Sequence, residues 1–247
     1  AINDVLAAVQ LGRHAGQEGV IVLINILVGF AIESQAIETI GNSLHCLDQT
    51  QRERLKRELN EVRPELDMQA AMQGEKDVFL GWLIREMEGG RSGEALLALV
   101  SGDAETRISN RVKNASQAQL IEWAKDLGAT YDAAGQIMSG SPAEAKTKAQ
   151  QLMSQLADEA TGNPLGELFL PSFGAARQAE ARYLTRQKLL EAAFAVFDDG
   201  PEALDRTEYR DPFGDGPFKM IPVEGGVELV SDLIRGDEPM KLSIPGL

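Results

Sequence analysis

Hydrophobic positions recur with helical spacing through most of the chain. Val5, Leu6 and Val9 open a short amphipathic segment, and residues 17–44 are apolar on most faces, which predicts a central, buried helix. Asp48 stands where the next helix needs a cap, and Leu55, Leu59 and Val62 follow at i, i+4 and i+7. The outer face of that helix alternates in charge, with Glu53–Arg57, Arg54–Glu58 and Arg57–Glu61 at i,i+4 spacing. Pro64 ends it or opens the next element. Phe79, Trp82, Leu83 and Met87 share one face of a helix that stops at Gly89-Gly90. Glu94 to Val100 predicts a short helix, and the polar run from Ser101 to Asn114 has no strong period.

The pattern sharpens after residue 115. Ser116 and Gln119 fit a capping box, in which each side chain bonds the other residue's backbone N–H. Leu120, Ala124, Leu127, Tyr131, Ala134 and Met138 then step alternately by four and three, the signature of a packed helical seam. Ser139-Gly140-Ser141 makes a turn, Ser141 to Glu144 is a second capping box with Pro142 at the first helical position, and Ala145, Ala149, Leu152 and Leu156 return. Residues 116–160 therefore predict an antiparallel helical hairpin. Thr161 to Pro164 is a stop and a domain boundary, separating a helical body (1–161) from the remainder (162–247). A long helix follows Pro171, with Phe173, Ala176, Tyr183, Leu190, Phe194 and Phe197 on one face, and ends at Asp198 to Pro201. Beyond it prolines and glycines are dense, and Phe218–Val223 and Val227–Ser231 flank Glu224-Gly225-Gly226 as a β-hairpin with Pro222 on an edge. The expected fold is mainly α, a multi-helix bundle of about seven helices with a helical hairpin, a long helix and a small C-terminal β-hairpin.

Composition agrees with a folded domain: 43% hydrophobic and 25% charged residues in 247. The net charge of −14 excludes binding nucleic acid through its phosphates, which needs clustered Lys and Arg, and adhesion to anionic lipid. The charge is uneven, since residues 198–238 hold 12 acidic and 4 basic side chains. The run Gly19 to Ile32 is bounded by Glu18 and Glu33 and is shorter than the roughly 20 residues of a membrane span. It reads as a core helix, and the chain carries no membrane span.

Candidate chemistry is sparse. His14 and Glu18 are one turn apart, and His45-Cys46 could join them in a mixed-ligand site, but no zinc spacing is present. Glu18, Asn25 and Glu33 interrupt an apolar helix, where a buried carboxylate pair could do acid–base work. No nucleophile elbow, phosphate loop or dinucleotide fingerprint occurs, and Ser43 near His45 is a coincidence of sequence until geometry joins them. Asp211-Pro212-Phe213-Gly214-Asp215-Gly216 mimics part of a calcium loop, but Phe213 and Pro222 fall where an EF-hand requires ligands. The residues single out no catalytic group and no cofactor site.

Two stretches carry a family resemblance. Phe169-Leu170-Pro171 with the small and basic residues to Arg182 resembles the end of the N-terminal helix of bacterial pilin-like proteins. Asp211-Pro212-Phe213-Gly214, then Gly216-Pro217-Phe218, resembles the Asp-Pro-aromatic-Gly turn of type II secretion pseudopilins, with Gly225 to Asp232 where those proteins place a hairpin and a Ser-containing loop. The likeness spans residues 165–238; it departs from a pilin in placing the helix behind a large helical body, with no processing motif. Leu11-Gly12-Arg13-His14 and Gln73 to Phe79 resemble an uncharacterised group of bacterial envelope proteins. The resemblance implies a periplasmic or secreted protein, and calcium held by Asp232, Asp237 and Glu238. Three functions follow as expectations. The leading one is a non-catalytic envelope protein, structural or interaction-mediating, with a protein partner or self-association. The second is a hydrolase-like enzyme using His14, Glu18 or Glu33, and the third a carrier of a small apolar ligand between the 20–32 helix and the 120–156 hairpin.

Overall fold

The structure is a computed structural model, and it describes all residues except 1, 18–21, 63–67, 101–106, 139, 141–147, 149, 153, 156–161 and 170. Its ten α-helices and one antiparallel sheet make it mainly α, counting among the described residues. The helices are α1 (Ile2–Gln17), α2 (Leu23–Ser43), α3 (Gln49–Glu61), α4 (Met68–Glu75), α5 (Gly81–Glu88), α6 (Gly93–Val100), α7 (Arg107–Lys113), α8 (Gln117–Met138), α9 (Pro164–Phe169) and α10 (Pro171–Asp199). A π-helical turn, Lys76–Leu80, joins α4 to α5. The strands are β1 (Lys219–Val223), β2 (Gly226–Arg235) and β3 (Glu238–Pro245), in spatial order β1-β2-β3.

Contacts divide the chain into two compact units. One comprises Ala1–Glu18, Ile24–Leu66 and Gln178–Leu247; the other comprises Gly19–Leu23 and Asp67–Arg177. The sequence places its boundary at 161/162, whereas the contacts group the first helices with the C-terminal tail.

The first unit is built around α1, α2, α3, the second half of α10 and the sheet. Its core joins Leu6 and Val9 of α1, Ile37 and Ile40 of α2, Leu55 and Leu59 of α3, Leu189, Leu190 and Phe194 of α10, and Leu229, Leu242 and Ile244 of the sheet. Two glycines set how closely its elements approach. A Cβ on Gly12 would lie 2.9 Å from Glu33 Cγ and 3.0 Å from the Gly29 carbonyl oxygen, so α1 and α2 touch backbone to backbone there. A Cβ on Gly41 would lie 2.7 Å from Leu242 Cδ1, so β3 packs directly on α2. The Asp48 cap forms as its sequence requires: Gln51 N donates to Asp48 Oδ1 at 2.8 Å and Asp48 N to Gln51 Oε1 at 3.1 Å. On the outer face of α3, Arg54 pairs with Glu58 at 2.6 Å. By length and composition, Leu23–Cys46 is a stretch that could cross a membrane, and so could the core helix of a soluble protein. Here Ile26, Phe30, Glu33, Ile37 and Ile40 on that stretch are all buried.

The sheet is larger than the expected hairpin. β1 and β2 pair antiparallel from Lys219↔Val230 to Val223↔Gly226, which leaves a two-residue turn at Glu224-Gly225 rather than a three-residue loop. β2 runs on to Arg235 and pairs with β3 from Gly226↔Pro245 to Arg235↔Glu238. Met240, Leu242 and Ile244 of β3 are buried at alternate positions, the period of a half-buried strand.

The second unit is a helical bundle centred on α8, which packs against α4, the π turn, α5 and α9. The seam read from sequence is buried on α8 at Leu120, Ala124, Leu127, Tyr131 and Ala134. It meets Ala71, Met72, Leu80, Leu83 and Met87, buried residues of the α4–α5 segment. The returning helix of the expected hairpin, with its cap at Ser141, falls largely outside the described residues. Ser116 caps α8 as expected, accepting from Gln119 N at 3.3 Å while Ser116 N donates to Gln119 Oε1 at 2.9 Å. Asn163 opens α9 by accepting from Leu165 N at 3.0 Å, and its amide donates to the Trp123 carbonyl at 2.7 Å.

Candidate functional site

Three polar assemblies stand out in the first unit. The deepest lies where α1, α2 and α10 meet. Glu33 of α2 is 2% exposed, and its Oε2 lies 3.5 Å from Arg13 Nε of α1. The Tyr183 hydroxyl of α10 donates to the same oxygen at 2.7 Å, and Gln187 donates to that hydroxyl. Phe30 stacks on the Tyr183 ring, with centroids 4.5 Å apart and planes inclined by 27°. A carboxylate can stay ionised at such depth only when paired and hydrogen-bonded, and this arrangement supplies both. It closes over Glu33 rather than opening it to a substrate.

The second assembly is the Asp-Pro-Phe-Gly turn. Asp211 is buried and accepts at Oδ1 from Phe213 N (3.0 Å) and from the Ser231 hydroxyl (2.8 Å), and at Oδ2 from Asp232 N (2.6 Å). The β2–β3 register shifts between Val230 and Ile234, which frees backbone groups of Ser231–Asp232 from the ladder. Asp211 takes up the amide that this bulge releases, so one carboxylate ties the turn to the sheet.

The third is an open groove of about 430 Å³ between α2, α10 and the β2–β3 end of the sheet. Its lining includes Glu38, Arg186, Arg235, Glu238, Lys241 and Ser243. Arg186 reaches Glu38 at 2.9 Å, and Lys241 reaches Glu228 at 3.0 Å. Arg182 sits one turn before Arg186 on α10. Burial, then the charges of Arg235 and Arg186, hold its guanidinium below the usual arginine range.

The residues singled out from sequence are mostly dispersed. His14 is exposed and Glu33 is sealed, while Glu18 lies outside the described residues. Among the described residues His14 and Glu33 thus lie in different surroundings, one open to solvent and the other enclosed. Asn25 is half-buried on α2. Cys46 Sγ and His45 Nε2 are 3.1 Å apart on an exposed 3₁₀ turn. Of the tail acids, Asp232 pairs with Lys219, Asp237 occupies the β2–β3 turn, and Glu238 opens β3. Among the described residues, no group of three or more His, Cys, Asp or Glu side chains is placed to hold a metal ion. The apolar cavity expected beside the 120–156 hairpin involves segments that fall outside the described residues.

Arg186, Arg235 and Lys241, which line the groove, went unmarked by sequence reasoning, although one signal was there. Arg182 and Arg186 stand at i,i+4 on one helix, a like-charge spacing that disfavours an isolated helix. The comparisons with protein-family models, curated proteins and solved structures give no match to this chain.

Proposed function

We propose that the protein is a non-catalytic cell-envelope protein that acts by presenting a surface to a protein partner or to a second copy of itself. The observation that carries this reading is the free edge of the sheet. Among the described residues β1 pairs on one side only, and its Ile221 and Val223 are 45% and 40% exposed. An unpaired strand edge bearing apolar side chains is a template for adding a strand from another chain, and proteins that do not use such an edge usually cover or charge it. Along β1 itself, Pro222 and Lys219 are the residues that blunt the edge. On α2, Ile24 and Val28, one turn apart, are also exposed, at 61% and 43%. The envelope location rests on the resemblance of residues 165–238 to pseudopilins, whose Asp-Pro-aromatic-Gly turn corresponds to the Asp211 turn.

The test combines fractionation with site-specific photo-crosslinking in cells that make the natural full-length protein. A cross-linker at position 221 should give one discrete adduct, to an envelope protein or to the chain itself, in the envelope or periplasmic fraction. A chain confined to the cytoplasm that gives no adduct from position 221 contradicts the reading.

A further inference from the structure

The other edge of the sheet lies in the groove. Among the described residues β3 pairs with β2 alone, and its consecutive residues from Glu238 to Ser243 line the hollow of about 430 Å³. A hollow over one face of a sheet touches every second residue of a strand, because side chains alternate. Lining by consecutive residues puts this one along the strand's edge, with Glu38 and Asn42 of α2 and Arg186 of α10 opposite.

The direction of the backbone groups on that edge follows from two residues. Gly246 N donates to Gly225 O at 2.9 Å, and Pro245, which has no N–H, stands opposite Gly226. In an antiparallel ladder, residues that bond the neighbouring strand alternate with residues that turn their N–H and C=O away from it. Ile244 and Leu242 therefore bond β2, while Lys241 and Ser243 turn their N–H and C=O groups out to the groove. Among the described residues nothing takes up these groups. The charges around them are unequal. Glu38 answers Arg186 and Glu228 answers Lys241, but Arg235, at the end of β2, has no ion-pair partner among the described residues.

We propose that this groove binds an extended acidic peptide of a partner protein, which adds as a strand to β3 and sets a carboxylate against Arg235. Donors and acceptors that recur at every second residue along an edge match the spacing of another peptide backbone. The bonds to Lys241 and Ser243 hold any extended chain, and Arg235 selects an acidic one. Arg186, Arg235 and Lys241 outnumber Glu38 and Glu238 along the groove, a local positive excess in a chain of net charge −14. β1 and β3 are opposite edges of the sheet, so this site does not rest on the β1 edge.

The test pans a displayed library of random heptapeptides on the full chain at low, fixed ionic strength. The peptides it enriches are then titrated by calorimetry. They should carry Asp or Glu. N-methylation of the tightest peptide at one set of alternate residues should weaken it by about tenfold or more, and at the intervening set much less. Ser243→Pro should also cost about tenfold, because it deletes one outward N–H and leaves the ladder to β2 intact, as Pro245 already does. Ser243→Ala keeps that N–H and should lose far less. Arg235→Glu should weaken the acidic peptide by about tenfold. Arg206→Glu should bind as the parent does, because Arg206 lies outside the groove, paired with Asp199 at 2.7 Å. Thermal melting of each variant separates lost binding from lost folding, and the N-methylated peptides decide the matter should Ser243→Pro not fold. The proposal is overturned if the library enriches no peptide, or peptides without acidic residues. It is equally overturned if N-methylation acts alike on both sets, or if Arg206→Glu loses as much affinity as Arg235→Glu.

Discussion

The two units of this chain are held together in different ways. In the second, α8 lays a periodic apolar seam against the α4–α5 segment, and polar groups mostly cap helix ends or pair at the surface, as Ser116, Asn163 and the Lys76–Asp132 pair do. In the first, polar side chains from distant parts of the sequence meet in the interior. Tyr183 reaches Glu33 across 150 positions, and Ser231 reaches Asp211 across 20. Apolar seams are tolerant, because many side chains of the right size fill them. Buried ion and hydrogen-bond clusters are not, because removing one member strands the others. The first unit should therefore be the more easily broken by a single polar change.

The largest effect should come from Glu33→Ala. It strands Arg13 and Tyr183 in the interior and should cost about 3–5 kcal/mol. Pairing it with Arg13→Leu should recover part of that loss, since a buried ion pair replaced as a whole costs little. In the second unit, Lys76→Ala removes an ion pair of 2.6 Å whose Asp132 side is exposed, and should cost less than about 1 kcal/mol. Denaturant unfolding of the variants measures all three. If Glu33→Ala and Lys76→Ala cost the same, the contrast between the units fails.

Asp211→Asn is the next step down. The carboxylate accepts from Phe213 N, Ser231 and Asp232 N, and an amide cannot accept at both of its positions. A loss of about 1–3 kcal/mol is expected, read from the unfolding midpoint. A neutral outcome would mean that the turn does not depend on its aspartate.

The second unit has its own sensitivity, which appears only at alkaline pH. Burial, and then the Glu75 carboxylate, push the Tyr131 phenol above its ordinary value of 10. The folded state thus holds this proton more tightly than the unfolded state. Below pH 10 the shift leaves stability unchanged; above it, the unfolded chain ionises first and stability falls by up to roughly 1.4 kcal/mol per pH unit. Melting from pH 8 to 11 should show that decline, and Tyr131→Phe should flatten it. An unchanged slope in Tyr131→Phe would place the alkaline weakness elsewhere.

Legibility from sequence follows the same division. The α8 seam, its Ser116 cap, the Asp48 cap and the long helix ending at Gly200 are local patterns, and each can be read within a few turns of chain. α7 could not, because its seven residues are too few to show a period. β3 did carry one, in Met240, Leu242 and Ile244, but Gly236-Asp237-Glu238-Pro239 before it resembles the start of a plain acidic tail. Glu33 was recognisable as a charge in an apolar helix. Its partner Tyr183 was recognisable only as one more core residue of a long helix. The groove was least legible of all, since α2, α10 and the β2–β3 turn each contribute isolated charges that mean nothing until the tail folds back onto the first helices.

That folding back is the point on which everything else depends. Native-state hydrogen exchange, followed amide by amide, tests it most directly. The amides of Leu229 and Val230 in β2 and of Ile37 and Ile40 in α2 should open together with one free energy, and Glu33→Ala should lower both by the same amount while leaving α8 as it was. Early exchange of β2 with α2 still protected would mean that the tail is a separate folding unit, and would contradict the grouping of the chain's two ends.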